Sequence, residues 1–121
     1  MKRSMMHIYV KGSLEAAELY RRAFGAELFE SYPDDNGNYL HAELDIQGQI
    51  VSLSESTRVM QTGNTMQFCL HMGEGHEAFV RTAYKVLMES GEAEYPLGAC
   101  MFSPLMFGVT DCFGVRWCVF V

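Results

Sequence analysis

Apolar and polar positions alternate with a period of two from Met5 to Val10, where Met6, Ile8 and Val10 interleave with Met5, His7 and Tyr9. That period suits a strand with one wholly apolar face. The pattern then changes to helical spacing in "SLEAAELYRRAFG", with Leu14, Ala17, Leu19, Tyr20 and Phe24 recurring until Gly25. Ser13 is placed to cap this helix, and Glu15 and Glu18 complement its N-terminus. Next come "AELFESY", the turn "PDDNGN", "YLHAELDI", a second turn at Gln47-Gly48, and "QIVSLSE". They predict three antiparallel strands on short loops.

After the polar break "STRVMQTGN" the order returns. "TMQFCLHM" alternates as a strand, "GHEAFVRTAYKVLMESG" has helical periodicity, and "EAEYPL", "MFGVT" and "GVRWCVFV" follow as strands. Each helix carries Ala and Tyr and ends at a Gly followed by a strand, so the chain is a twofold repeat of β-α-β-β-β. The expected organisation is one domain over 1–121, with module one at about 1–56, a linker at about 57–64 and module two at about 65–121. The final strand completes the sheet of the second module. On it, Val115, Trp117 and Val119 alternate with Arg116, Cys118 and Phe120, the first set being fit to pack under the second helix.

Composition narrows the function. At 121 residues and 49% hydrophobic, the chain can bury one real core. Fifteen Asp and Glu against nine Lys and Arg give a formal charge of -6, which disfavours nucleic acid. No apolar run reaches membrane-spanning length, and the Met-Lys-Arg start leads into a strand, so a soluble, cytoplasmic protein without a membrane partner is expected. Cys69, Cys100, Cys112 and Cys118 have no CxxC spacing and lie among apolar neighbours, which predicts reduced core thiols. No P-loop or GxGxxG is present, "GEGHE" at 73–77 has the wrong glycine spacing for phosphate, and Asp34-Asp35-Asn36-Gly37 is a turn lacking the later ligands of a calcium loop.

The double module, with "GSLEAAELYRRAFGAEL", "LHAELDI" and "TDCFGVRW", resembles the vicinal oxygen chelate superfamily over nearly the whole chain. Within it, the chain is similar to the PhnB-like branch of the glyoxalase, bleomycin-resistance and dioxygenase group. The resemblance implies an α+β fold in which two βαβββ modules form a curled mixed β-sheet cup with the helices outside. Metal-using members take four ligands, usually His, Gln or Glu, from the first and last strands of the modules. By counting, those positions fall here on Met5, Ser52, Gln67 and Cys118. That set has neither carboxylate nor imidazole, so the resemblance implies no metal site and no cofactor.

Strand alternation adds neighbours on the same faces: His7 and Tyr9 with Met5, Cys69 and His71 with Gln67, and Arg116 and Phe120 with Cys118. If the third strand points His41, Glu43 and Asp45 the same way, the cup combines apolar patches with a few polar groups, as small-ligand pockets do. Arg116 would then have Glu43 or Asp45 within reach. Met5, Met66, Met72, Met101 and Met106, in or beside strands, suit an adaptable apolar lining. The expected function is metal-free binding of a small organic ligand by a homodimer. The alternatives are a metal-dependent lyase, isomerase or oxygenase of glyoxalase or dioxygenase type, and a resistance-type protein that sequesters drugs. Cys118, in the position of a metal-binding glutamate, is expected to be an inert thiol lining the pocket.

Overall fold

The structure, a computed structural model, describes residues 1–121. It divides into two compact units, Met1–Gln61 and Thr62–Val121. Each holds one helix and one open four-stranded mixed sheet, so the fold is α+β with two modules.

In the first unit, β1 (Met6–Val10), α1 (Ser13–Phe24), β2 (Glu27–Pro33), β3 (Tyr39–Ile46) and β4 (Gln49–Glu55) follow in that order. The sheet runs β1-β4-β3-β2, with β1 parallel to β4 and the other pairs antiparallel. The last strand therefore lies inside the sheet and the first at its edge. Ile8, Val10, Ala42, Leu44, Ile46, Val51 and Leu53 are buried, and α1 packs against β1, β3 and β4 through Ala16, Ala17, Leu19, Tyr20, Ala23 and Phe24. Leu14, expected on the packed face, is instead exposed. It lies a turn before the small residues that let the helix approach the sheet. Gly25 ends the helix at φ 61°, a left-handed conformation that side chains with a Cβ rarely adopt.

The start of α1 departs from expectation. Gly12 is the capping position, Ser13 is the first helical residue, and no side chain of the helix caps it. The Glu55 carboxylate at the end of β4 does so from a distance. It accepts from Gly12 N at 3.0 and 3.2 Å, from Ser13 N at 2.8 Å and from Ser13 Oγ at 2.8 Å. Ser13 Oγ in turn accepts from Tyr39 N at 2.8 Å. One buried serine thus ties α1, β3 and β4 together, because an anion at a helix N-terminus meets both free N–H groups and the positive end of the dipole.

The second unit repeats the plan with β5 (Phe68–His71), α2 (Glu77–Leu87), β6 (Glu92–Gly98), β7 (Met106–Thr110) and β8 (Arg116–Phe120), ordered β5-β8-β7-β6. The strand expected over "TMQFCLHM" contracts to four residues, matching the part of β8 it pairs with. Trp117 and Val119 are buried, α2 packs against β7 and β8, and Trp117 Nε1 donates to Asp111 Oδ2 at 2.9 Å. Asp111 Oδ1 also accepts from Phe113 N and Val115 N, which holds the turn that feeds β8.

Two expectations about composition are corrected here. The thiols are not all in the core: Cys118 is buried and Cys100 half-buried, but Cys69 and Cys112 are exposed. Cys69 faces away from α2, and Cys112 sits in the turn. Met66 and Met101 likewise lie at the surface, whereas Met106 is buried.

Candidate functional site

Each sheet has a face turned away from its helix, and the twelve residues named from the sequence divide evenly between the two units. In the first, ladder register sets His7 on β1 opposite Ser52 on β4, Ser52 opposite Glu43 on β3, and Glu43 opposite Glu30 on β2. A polar row therefore crosses the sheet.

His7 is held at both ring nitrogens. Nδ1 lies 2.6 Å from Ser52 Oγ, Nε2 lies 3.1 Å from Ser54 Oγ, and Ser52 Oγ donates to the Met6 carbonyl at 3.3 Å. With its proton given to Met6, Ser52 accepts from Nδ1–H, so in the neutral ring Nε2 accepts from the Ser54 hydroxyl. Burial, then the neighbouring His41, hold His7 below the usual histidine value. Its ring stacks on His41 at 5.6 Å and 12° and meets Tyr9 edge-on at 4.8 Å, and Tyr32 lies 6.2 Å from His41.

Glu43 is only 2% exposed. Both its oxygens accept from Arg3 at 2.8 Å, and Oε1 lies 3.2 Å from His41 Nε2. The Arg3 bonds outweigh desolvation and hold the Glu43 carboxyl below the usual carboxylate range. Five of the six expected residues of this unit, His7, Tyr9, His41, Glu43 and Ser52, thus form one connected patch. Met5 precedes β1 and is half-buried; the register partner of Ser52 is His7. Arg3, Tyr32 and Ser54 join the patch without having been expected. Ser54 shares the period of Ser52, a signal present in the sequence, whereas nothing local marks Arg3. A cavity of about 510 Å³ opens beside Tyr9, between the end of β4 and the segment through Gln61.

In the second unit the corresponding row is Cys69, Cys118, Gly108 and Tyr95. A Cβ on Gly108 would lie 2.9 Å from Tyr95 Cδ2 and 3.7 Å from Gln67 Nε2, so the absent side chain admits the tyrosine ring. His71 stacks on Phe120 at 4.5 Å, and Phe102 meets Phe120 edge-on at 5.2 Å. Arg116 pairs with neither Glu43 nor Asp45. It forks onto Glu94 with two 2.7 Å bonds and donates to the Asn64 carbonyl at 2.7 Å, while Thr110 Oγ1 also donates to Glu94. The hydrogen bonds from Arg116 and Thr110 hold the Glu94 carboxyl down at about 2.

These donors do not suit a divalent metal. His7 has both nitrogens engaged, Glu43 is forked by Arg3, and burial, then Cys69 and Cys100, push the Cys118 thiol up to about 11. No group of three or more His, Cys, Asp or Glu is arranged to hold an ion.

Solved structures share this architecture. Protein PA1353 from Pseudomonas aeruginosa superposes with a TM-score of 0.81 at 21% identity, over 99% of this chain and 97% of that one. A PhnB protein from Bacillus cereus gives 0.81 at 21% identity, covering 98% of each. The fold is that of the vicinal oxygen chelate superfamily. The fosfomycin resistance protein FosX from Listeria monocytogenes, in a complex with Mn(II), has the same vicinal oxygen chelate plan at a TM-score of 0.70 and 12% identity, over 98% of this chain and 87% of that one. No protein-family model and no curated protein matches the chain. The resemblance to the PhnB-like branch rests on the helix phrase and the last strand, and these structures add the fold.

Proposed function

We propose that this chain binds a small, planar organic molecule on the open face of its first module, without a resident metal. The observation that carries this is the patch of His7, Tyr9, Tyr32 and His41 rings set around a buried carboxylate. Ring faces favour stacking with a flat ligand. Tyr9 is 63% exposed and Tyr32 54%, so that surface is available to a ligand, and the cavity beside Tyr9 adds depth. The Glu43 carboxylate is taken up by Arg3 and His41, and so holds the His41 ring in place beneath the patch.

A homodimer in the cytoplasm belongs to the same proposal. All seven residues of edge strand β2 are exposed, including Leu28, Phe29 and Tyr32, and an open edge of this kind invites a second copy. Free thiols fit a reducing compartment. No helix is long and apolar enough to cross a membrane.

The test is a ligand-observed NMR screen of planar heteroaromatic compounds against protein purified without added metal, with elemental analysis and sedimentation of the same sample. Hits should weaken at least tenfold in Tyr9→Ala and His41→Ala, and the sample should sediment at twice the 13.7 kDa chain mass. Stoichiometric Mn, Fe, Ni or Zn would overturn the metal-free reading. Hits indifferent to both substitutions would overturn the site, and a monomer at micromolar concentration would overturn the dimer.

A further inference from the structure

The second module holds two thiols that the proposed ligand patch does not use. Cys69 on β5 and Cys118 on β8 are register partners on adjacent parallel strands, and both are free. Neighbouring strands lie about 4.7–4.9 Å apart, which puts registered Cα atoms inside the roughly 4.4–6.8 Å span that a disulfide bridges.

The two side chains also share a face. Leu70, Trp117 and Val119 are buried on the helix side, with Phe68 meeting Trp117 there at 5.7 Å. On the opposite face, His71 and Phe120, the registered pair two positions further along, stack at 4.5 Å and 17°. Cys69 is among the neighbours that push the Cys118 thiol above its ordinary value, as a group close to it does. Cys69 is exposed and Cys118 is 8% exposed, so the pair has an outer and an inner member. Neither Cys100, which follows β6, nor Cys112, in the turn before β8, is a ladder partner of Cys69.

We propose that Cys69 and Cys118 form a reversible disulfide site on the open face of the second module, closed by exchange with a low-molecular-weight disulfide such as oxidised glutathione. Cys69 gives its proton to solvent and its thiolate attacks one sulfur of the small disulfide. That S–S bond breaks, and the departing half takes up a proton and leaves as a thiol. Cys118 then loses its proton and attacks the Cys69 sulfur, expelling the second half as another thiol. Two protein thiols are oxidised by two electrons, and one small disulfide is reduced to two thiols. Because attack requires the thiolate, burial, the largest cause that raises the Cys118 thiol and the one that persists once Cys69 is capped, makes closure the slow step. Its rate rises about tenfold per pH unit in the neutral range. Closure joins the first strand of the module to its last and withdraws the exposed thiol beside the His71–Phe120 stack.

The experiment uses the full chain, reduced, desalted and exposed to oxidised glutathione at pH 7 and pH 9, then alkylated and cut with trypsin. Arg58, Arg81, Lys85 and Arg116 place Cys69 in fragment 59–81, Cys100 and Cys112 together in 86–116, and Cys118 in 117–121. The expected product links 59–81 to 117–121, with two thiols lost per chain and both restored by dithiothreitol. Cys118→Ala should stop at a glutathione adduct on Cys69, and Cys69→Ala should leave Cys118 reduced. The wild-type map needs no variant to fold. Linkage of 59–81 to 86–116, an adduct on Cys69 that does not resolve even at pH 9, or no reaction would overturn the proposal. So would loss of the same two thiols from Cys118→Ala.

Discussion

Replacing Glu55 by Ala removes the anion that caps α1 from the end of β4. Four hydrogen bonds are lost, and the amides of Gly12 and Ser13 and the buried Ser13 hydroxyl lose their acceptor. A helix cap contributes about 0.5–2 kcal/mol, and a hydrogen bond to a charged group about 1.5–3 kcal/mol. The four bonds share one half-buried carboxylate and water replaces part of them, so the net cost is about 2–3 kcal/mol. With unfolding entropy of about 2.1 cal/mol/K per residue, 121 residues convert that to a fall in Tm of about 8–12 °C. Glu55→Gln keeps an acceptor and loses the charge, which costs about 1 kcal/mol, or about 4 °C. Burial alone would raise the Glu55 carboxyl, but the bonds from Ser13 and Gly12 more than offset it and leave it below its ordinary 4.5. A depressed carboxyl stabilises the fold above its unfolded value and ceases to do so as pH falls through its folded one. Thermal unfolding followed by circular dichroism should therefore show the gap between wild type and Glu55→Ala widest near neutrality and closing below about pH 4.5. A gap under about 0.5 kcal/mol, or one that widens in acid, refutes the idea that Glu55 caps this helix.

His7 should titrate below 6.5 by NMR, and His41→Gln should move that titration upward, since His41 adds to the effect of burial; a normal value, or one indifferent to His41, goes against the neutral network. Glu94, held at about 2 against an ordinary 4.5, should stabilise wild type relative to Glu94→Gln above pH 4.5 and lose that advantage between about 4.5 and about 2. Matched Tm profiles of the two proteins from pH 2 to 7 check it, and parallel profiles count against the Arg116–Glu94 fork.

Strands such as "YLHAELDI" and "QIVSLSE" were legible because alternation alone separates Ala42, Leu44, Val51 and Leu53, which face the helix, from Glu43 and Ser52. Alternation fixes which face a residue occupies, but not which partner it meets. Counting put the first-strand position on Met5 and the last-strand position on Ser52, and the parallel ladder pairs Ser52 with His7, two residues on from Met5 and on the same face. Contacts between distant segments left no local trace. Glu55 caps a helix that begins 42 positions earlier in the chain, and Arg3 lies 40 residues from Glu43. The Arg116 partner was missed for a related reason: the strand-face argument offered Glu43 and Asp45, whereas Glu94 lies at the β6 register shift between Ala93 and Tyr95, which alternation does not reveal.

The position of each module's last strand has a consequence for the order in which the molecule is assembled. β4 lies between β1 and β3, and β8 between β5 and β7. During synthesis, β1 emerges first and has no partner until β4 follows some forty residues later, a delay that at about 5–20 residues per second lasts seconds. β2 and β3 can meanwhile form a hairpin, but the parallel edge cannot, and β5 waits in the same way for β8. A nascent chain thus carries one unpaired apolar strand through most of the making of each module, which is the interval in which a chaperone or a second nascent chain would find it. Arrival of the central strand gives two neighbours their ladder at once, β1 and β3 in the first module and β5 and β7 in the second.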